Sequence, residues 1–233
     1  MKISRLFFVL FLFECILSCG SNKNNLANNS SIVINDISEG DTINTTPLPP
    51  NLSTWIKFYH TTDTGFQIKN FESSGVVLHF NDMKSVDSLE KTKSLFSTLF
   101  SLSPNKKKYI DFLSYGNRLV QIDSTSKIKT AKLFSEEEVD QQVVLGEIGG
   151  ERKELMFNGP AQMVESADWI TANQFLITLI SEEENKRIAE IFLFDISTQE
   201  YINYRLNHPF NPPTSSDESF IKYWLQTKQI NIK

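Results

Sequence analysis

The chain has 233 residues, a formal charge of −5 and 40% hydrophobic residues, with 18 Phe among them. Its 23 Lys and Arg against 28 Asp and Glu argue against a sequence-independent nucleic-acid binder and against a basic patch for anionic lipid, because both need clustered positive charge. Its two cysteines, Cys15 and Cys19, both sit near the N terminus, so no disulfide staples the body of the chain and a hydrophobic core must hold it.

The first element is a leader. Lys2 and Arg5 form a positive n-region, and residues 6–17 are almost wholly apolar, interrupted by Glu14. Twelve positions are too few for the roughly 20 residues of a membrane-spanning helix, but they suit the h-region of a secretory signal. The run ends in Ile16-Leu17-Ser18-Cys19-Gly20. This stretch resembles the lipobox of bacterial lipoproteins, in which an aliphatic residue and a small residue precede the acylated cysteine. The resemblance implies cleavage between Ser18 and Cys19 and lipid attachment to Cys19. Cys15 is the poorer match, because Phe13 and Glu14 precede it. Two or more acyl chains hold a protein stably at a membrane, where one binds only marginally. Gly20 and Ser21 follow the cysteine; the absence of Asp there leans toward the outer membrane by the sorting rule of enteric lipoproteins. Cleavage removes Lys2, Arg5 and Glu14, a net charge of +1, and leaves −6.

Residues 19–51 are rich in Asn, Ser, Thr and Pro, with Ile32-Val33-Ile34 as the one apolar cluster. Such a composition buries too little surface to offset its ordering entropy, so a flexible tether is expected. About 180 residues then remain as 52–233, one domain's worth.

From Trp55 onward short β-prone runs alternate with turn residues. Strands are predicted over 55–60, 66–71, 75–80, 108–113, 118–123, 127–134, 139–148, 153–157, 163–169, 174–181, 189–196 and 200–206. In the last of these Ile202, Tyr204 and Leu206 share one face, while Tyr201, Asn203 and Arg205 share the other. Gly149-Gly150 supplies the positive φ of a tight hairpin. Asp123 and Asp195 each end an apolar run and are followed by Ser and Thr, a pattern in which the Asp side chain caps turn amides. Two segments carry helical spacing. Val86, Leu89, Leu95, Phe96, Leu99 and Phe100 predict a helix over 86–100; Ser215-Ser216-Asp217-Glu218, in capping-box form, predicts one over 217–225. The fold class expected is mainly β, built of antiparallel sheets with blade-like hairpins.

Ser103-Pro104-Asn105-Lys106-Lys107 resembles the opening turn of TolB- and WD40-like β-propeller blades. The Trp169 strand, followed by 191–195, resembles the inner strands of a second blade. Residues 103–206 also resemble a group of small uncharacterised Gram-negative lipoproteins, with Asp111, Ser114 and Tyr115 at the matching positions. The resemblance implies blade-like sheets and points to no particular activity. A closed propeller needs about four blades of four strands, and the hairpin turns here share no single period. A compact antiparallel β domain is therefore expected rather than a closed ring.

No motif for a nucleophile, a nucleotide or a metal is present, so no cofactor is expected. His60, His79 and His208 lack a second ligand at metal spacing, and 136–138 and 182–184 are acidic runs without the glycine turn of a calcium loop. Trp55, Tyr59, Trp169 and Trp224 are candidates for a stacking platform, with core packing as the commoner role of such residues. The function expected is a non-enzymatic binding or scaffold module held to the cell envelope by lipid, with an envelope protein or glycan as partner. The alternative is an enzyme whose site assembles from scattered residues, which requires several of Asp111, Tyr115, Asp140, Asp168 and His79 to meet in one pocket.

Overall fold

Alternation is clearest over Glu200–Leu206 of the largest sheet, while Gln162–Trp169 and Gln174–Glu183 are buried on both faces over most of their length. In the computed structural model, which describes residues 31–45, 47–80, 83–86, 99–115, 119–123, 129–133, 140–210 and 219–232, strand β11 (Glu200–Leu206) buries Ile202, Tyr204 and Leu206. This is the face the sequence assigns to the interior. Strands β8 (Gln162–Trp169), β9 (Gln174–Glu183) and β10 (Lys186–Asp195) precede it as an up-and-down meander, and β1 (Phe71–His79) lies on its far edge. The order is β1-β11-β10-β9-β8, antiparallel throughout. A second antiparallel sheet has the order β2-β3-β6-β7, from Ser101–Leu102, Lys108–Asp111, Gln141–Glu147 and Arg152–Asn158. The β4–β5 hairpin, Leu119–Asp123 and Lys129–Leu133, is completed by β12 (Ile230–Ile232), which runs parallel to β5. The protein is thus mainly β, with blade-like meanders that do not close into a barrel or propeller.

The turns follow their chemistry. Gly149 takes φ +75 between β6 and β7. Asp195 Oδ1 accepts the Ser197 amide at 2.8 Å after β10. Ser103 Oγ accepts the Lys108 amide at 2.9 Å, Asn105 Oδ1 accepts that of Lys107 at 3.1 Å, and Lys106 sits at φ 55. The blade-like opening turn therefore works as a side-chain-capped hairpin. Gly146 has a different reason for being glycine. It faces Tyr109 across β6 and β3, and a Cβ there would overlap the Tyr109 ring, whose face stacks on Phe100 at 4.8 Å.

Three readings of the sequence need correction. Residues 55–60 form no strand: they belong to helix α1 (Pro50–His60). Pro50 stands in the first turn, where its fixed φ suits a helix start, and Leu52, Trp55 and Tyr59 bury one helical face. The β-prone side chains of Trp55, Ile56, Phe58 and Tyr59 hid that spacing. The strand expected over 66–71 is not there either: a 3₁₀ turn, Ile68–Asn70, leads into β1, which begins at Phe71. The expected tether to Asn51 is packed on the sheet from residue 31: Ile34 and Ile43 are buried, and the Gln174 side-chain amide accepts from Ile32 N at 2.8 Å and donates to Ile32 O at 2.5 Å. The C-terminal helix, α2, spans Phe220–Thr227 and is capped by Ser219 Oγ, which accepts the Lys222 amide at 3.4 Å. The capping residues expected at 215–218, most of the helix expected over 86–100 and the turn at 124–127 lie outside the described residues.

One buried side chain stitches the two antiparallel sheets together. Gln141, at the start of β6, is 2% exposed. Its Nε2 donates to Phe112 O at 2.9 Å and Val164 O at 3.0 Å, and its Oε1 accepts Val164 N at 2.7 Å. Replacing it would orphan three buried backbone groups, each costing roughly 1–3 kcal/mol. Gln141→Leu is therefore expected to lower unfolding stability in urea by about 3 kcal/mol or more, against less than about 1 kcal/mol for Gln142→Leu, whose side chain is half-exposed. Equal losses for the two variants would refute the stitching role.

Candidate binding groove

The buried carboxyl groups come first, because they are where chemistry was sought. Strand β8 has a register shift between Val164 and Ser166, and a bulge of this kind re-aims a side chain. Here it aims Glu165, 1% exposed, at α1. Glu165 Oε2 accepts Trp55 Nε1 at 2.6 Å, and Oε1 accepts the Tyr59 hydroxyl at 2.8 Å. Trp55 and Tyr59 stand one helical turn apart, so both donors reach one carboxyl. Sequence reading missed Glu165 altogether, since nothing local separates it from the solvated glutamates.

Asp168 lies at the other end of α1. The helix has Pro49 at its N-cap and no side-chain cap of its own. Asp168 supplies one from β8, accepting Leu52 N at 2.6 Å and Asn51 Nδ2 at 3.0 Å. Asn51 Oδ1 in turn accepts Trp224 Nε1 at 3.0 Å, which ties α2 to the same point. Burial pushes the Asp168 carboxyl up to about 7, against the pull of the Leu52 and Asn51 hydrogen bonds and the Lys228 charge. Asp111 is also buried; it accepts the Leu113 and Ser114 amides at 3.2 and 3.1 Å and pairs with Arg152 Nη2 at 3.2 Å. Burial raises its pKa too.

The remaining sequence candidates are dispersed. Asp140 is exposed, and Tyr115 stands half-exposed against the edge of Phe157 at 5.4 Å. His60 is exposed at the end of α1, and His208 Nε2 meets Asp63 at 3.0 Å. Trp55, Tyr59, Trp169 and Trp224 are all buried, and Trp169 Nε1 donates to Ser101 O at 2.8 Å. The four aromatics form no surface platform, because each spends its polar atom on an internal bond. Cys19 and the cleavage position at Ser18 lie outside the described residues.

What the structure does assemble is a groove of about 460 Å³. One wall comes from the end of β1 and the facing ends of β10 and β11, with His79, Phe80, Phe194 and Tyr201. The opposite wall comes from β7, with Glu154, Leu155, Met156 and Phe157, and from Met83 and Lys84, whose backbone runs along β7. Cross-strand pairing sets Tyr201 beside Leu78 and Phe194. The Tyr201 ring stacks on Phe194 at 5.0 Å, and Phe194 stacks on Phe175 at 5.0 Å, so the floor is continuous with the core. Burial raises the Tyr201 hydroxyl pKa. Aromatic and Met side chains line it together with His79, Lys84 and Glu154, so its surface mixes apolar and polar groups. Of the expected residues only His79 lines it. The others escaped notice because they come from separate segments that no local spacing connects. Among the described residues no three His, Cys, Asp or Glu gather as a metal site.

The class that fold and groove define is a mainly β protein of two antiparallel sheets and one mixed sheet, with a helix docked on the larger sheet. Comparison with protein-family models, curated proteins and solved structures finds no match.

The Asp168 cap carries a pH signature. The folded protein holds its proton to about pH 7, while the unfolded chain releases it near 3.8. The Asp168 contribution to stability is therefore full below 3.8 and is lost as pH rises toward 7, because the native state binds more protons across that window. Asp168→Asn is expected to flatten the fall in stability between pH 4 and 7 measured by urea unfolding. A slope identical to that of the parent protein would show that Asp168 titrates alike in both states.

Proposed function

We propose that the protein is a lipid-anchored module of the bacterial cell envelope that binds a protein partner in the groove between β1 and β7 and does no chemistry of its own. The leader, with its positive n-region, short apolar run and Ile16-Leu17-Ser18-Cys19 box, supports the anchor at Cys19, and Gly20-Ser21 in place of Asp after the cysteine supports an outer-membrane location. No helix among the described residues is long and apolar enough to cross a membrane, which is compatible with a lipid anchor without arguing for one.

The observation that carries the binding reading is the groove's lining: Met83, Met156, Phe80, Phe157, Phe194 and Tyr201, with His79, Lys84 and Glu154 as its polar groups. Thioethers and aromatics adapt to apolar side chains. Aromatic rings and thioethers in the lining suit the apolar side chains of a protein, and His79, Lys84 and Glu154 suit its polar ones, so a protein is the favoured partner. The enzyme alternative called for several of Asp111, Tyr115, Asp140, Asp168 and His79 in one pocket. Asp111 and Asp168 are engaged in internal bonds instead, and only His79 borders the groove.

Two experiments test these readings. Cys19→Ala is expected to abolish labelling by a clickable fatty acid and to accumulate the uncleaved precursor; persistent labelling would place the lipid elsewhere. Phe157→Asp changes an exposed side chain of the groove and is expected to abolish recovery of the partner that the parent protein enriches from the envelope, with the unfolding transition unchanged. Undiminished recovery would remove the groove from the interface.

A further inference from the structure

Edge strands expose unpaired backbone groups, and proteins ordinarily guard them with charge, proline or a covering segment. Strand β1 is an edge of the five-stranded sheet. Its first half is guarded: Thr42 bridges Glu72, Ser73 N donates to Asp41 O at 2.8 Å, and Gly40 N donates to Ser73 O at 3.0 Å. The covering segment leaves at Gly75. That residue has φ +66, and a Cβ on it would come within 2.7 Å of the Glu39 backbone nitrogen.

Beyond Gly75 no described residue covers the edge. Phe80 N donates inward to Gln199 O, so alternation turns Leu78 toward β11 and leaves the N–H and C=O groups of Val77 and His79 facing outward. No described residue pairs with them. Val76 is 54% and Leu78 42% exposed, and 76–78 carries no charge or proline. The matching outer edge of β7 is covered by residues 84–86, through Val86 N to Arg152 O and Glu154 N to Lys84 O.

We propose that the edge of β1 at 76–79 takes an extended segment of the partner protein as an added strand, with an apolar side chain of that segment entering the groove. Three observations select this occupant. The same edge already accepts a strand over Glu72 and Ser73, and the open stretch continues that lane. His79 belongs to both the lane and the groove, Phe80 of the groove follows it directly, and an added strand sends alternate side chains to the face that carries Leu78, Tyr201 and Phe194. The lane is four residues, about 13 Å, the length of a short extended peptide rather than the broad face that a stable interface between two copies needs. Main-chain bonds would then supply affinity and the groove would supply side-chain selection. The inference rests on the groove being the binding site, and its test separates the two.

The probe is a synthetic peptide, acetyl-Thr-Val-Thr-Phe-Thr-Val-Thr-amide, with a control N-methylated at alternate amides. Amide hydrogen exchange of the protein is followed residue by residue. At a probe concentration about ten times its dissociation constant, exchange at Val77 and His79 is expected to slow about tenfold, and the N-methylated control is expected to give no protection. A small apolar fluorophore reads the groove separately, through loss of its signal in Phe157→Asp. Fluorophore binding in the groove without peptide protection at Val77 and His79 overturns strand addition and leaves the groove standing. Failure of both probes overturns both readings. Protection that appears without peptide and grows with protein concentration assigns the edge to a second copy and overturns the partner-segment reading.

Discussion

A carboxyl group buried to 1% must find donors or destabilise the fold by several kcal/mol, and Glu165 finds two on one face of α1. That constraint organises the rest of the structure. The bulge in β8 aims Glu165 at the helix, Trp55 and Tyr59 reach it from successive turns, and Asp168 two pleats along the same strand caps the helix start. Helix α2 joins through Trp224 and Asn51. Strand β8 also meets the second sheet, through Gln141 at Val164 and through the Trp169 indole at Ser101. One edge strand thereby holds two helices and a second sheet by polar contacts, and the apolar core fills between them.

The polar groups that looked most like chemistry serve as joints. Asp168 caps a helix that lacks its own cap, and Asp111 closes the turn after β3 and pairs with Arg152. Both carboxyls have raised pKa values because they are buried, and burial here follows from packing. The groove lies elsewhere, between β7 and the wall made by β1, β10 and β11, and its lining mixes aromatic and Met side chains with His79, Lys84 and Glu154. Phe157, Leu78 and Val76 are left open to solvent.

Much of the β architecture was legible because alternation and turn chemistry are local. The runs from residue 108 onward place β3 to β11 within a few residues of their observed bounds, and Gly149 and Asp195 turn the chain as their side chains dictate. The failures are equally physical. Trp55, Ile56, Phe58 and Tyr59 have strand-prone side chains, yet the helical spacing of Leu52, Trp55 and Tyr59 decides the matter once a sheet stands opposite to bury it. The polar run before Pro50 looked unable to fold alone. It does not fold alone: Gln174, 142 residues away, pairs with Ile32 as a strand would.

By itself, then, the amino-acid order determined the mainly β class, most strand positions, the thiol-free body and the lipobox-like leader on which the proposed anchor rests. Tertiary structure alone decided which carboxyl was buried, which stretch of the β1 edge no described residue covers, and that His79, Met156 and Tyr201 would share a groove. The reason is the range of the forces. Alternation and turn preference act over a few residues, whereas burial and edge pairing depend on what distant segments bring alongside, and no spacing along the chain records that.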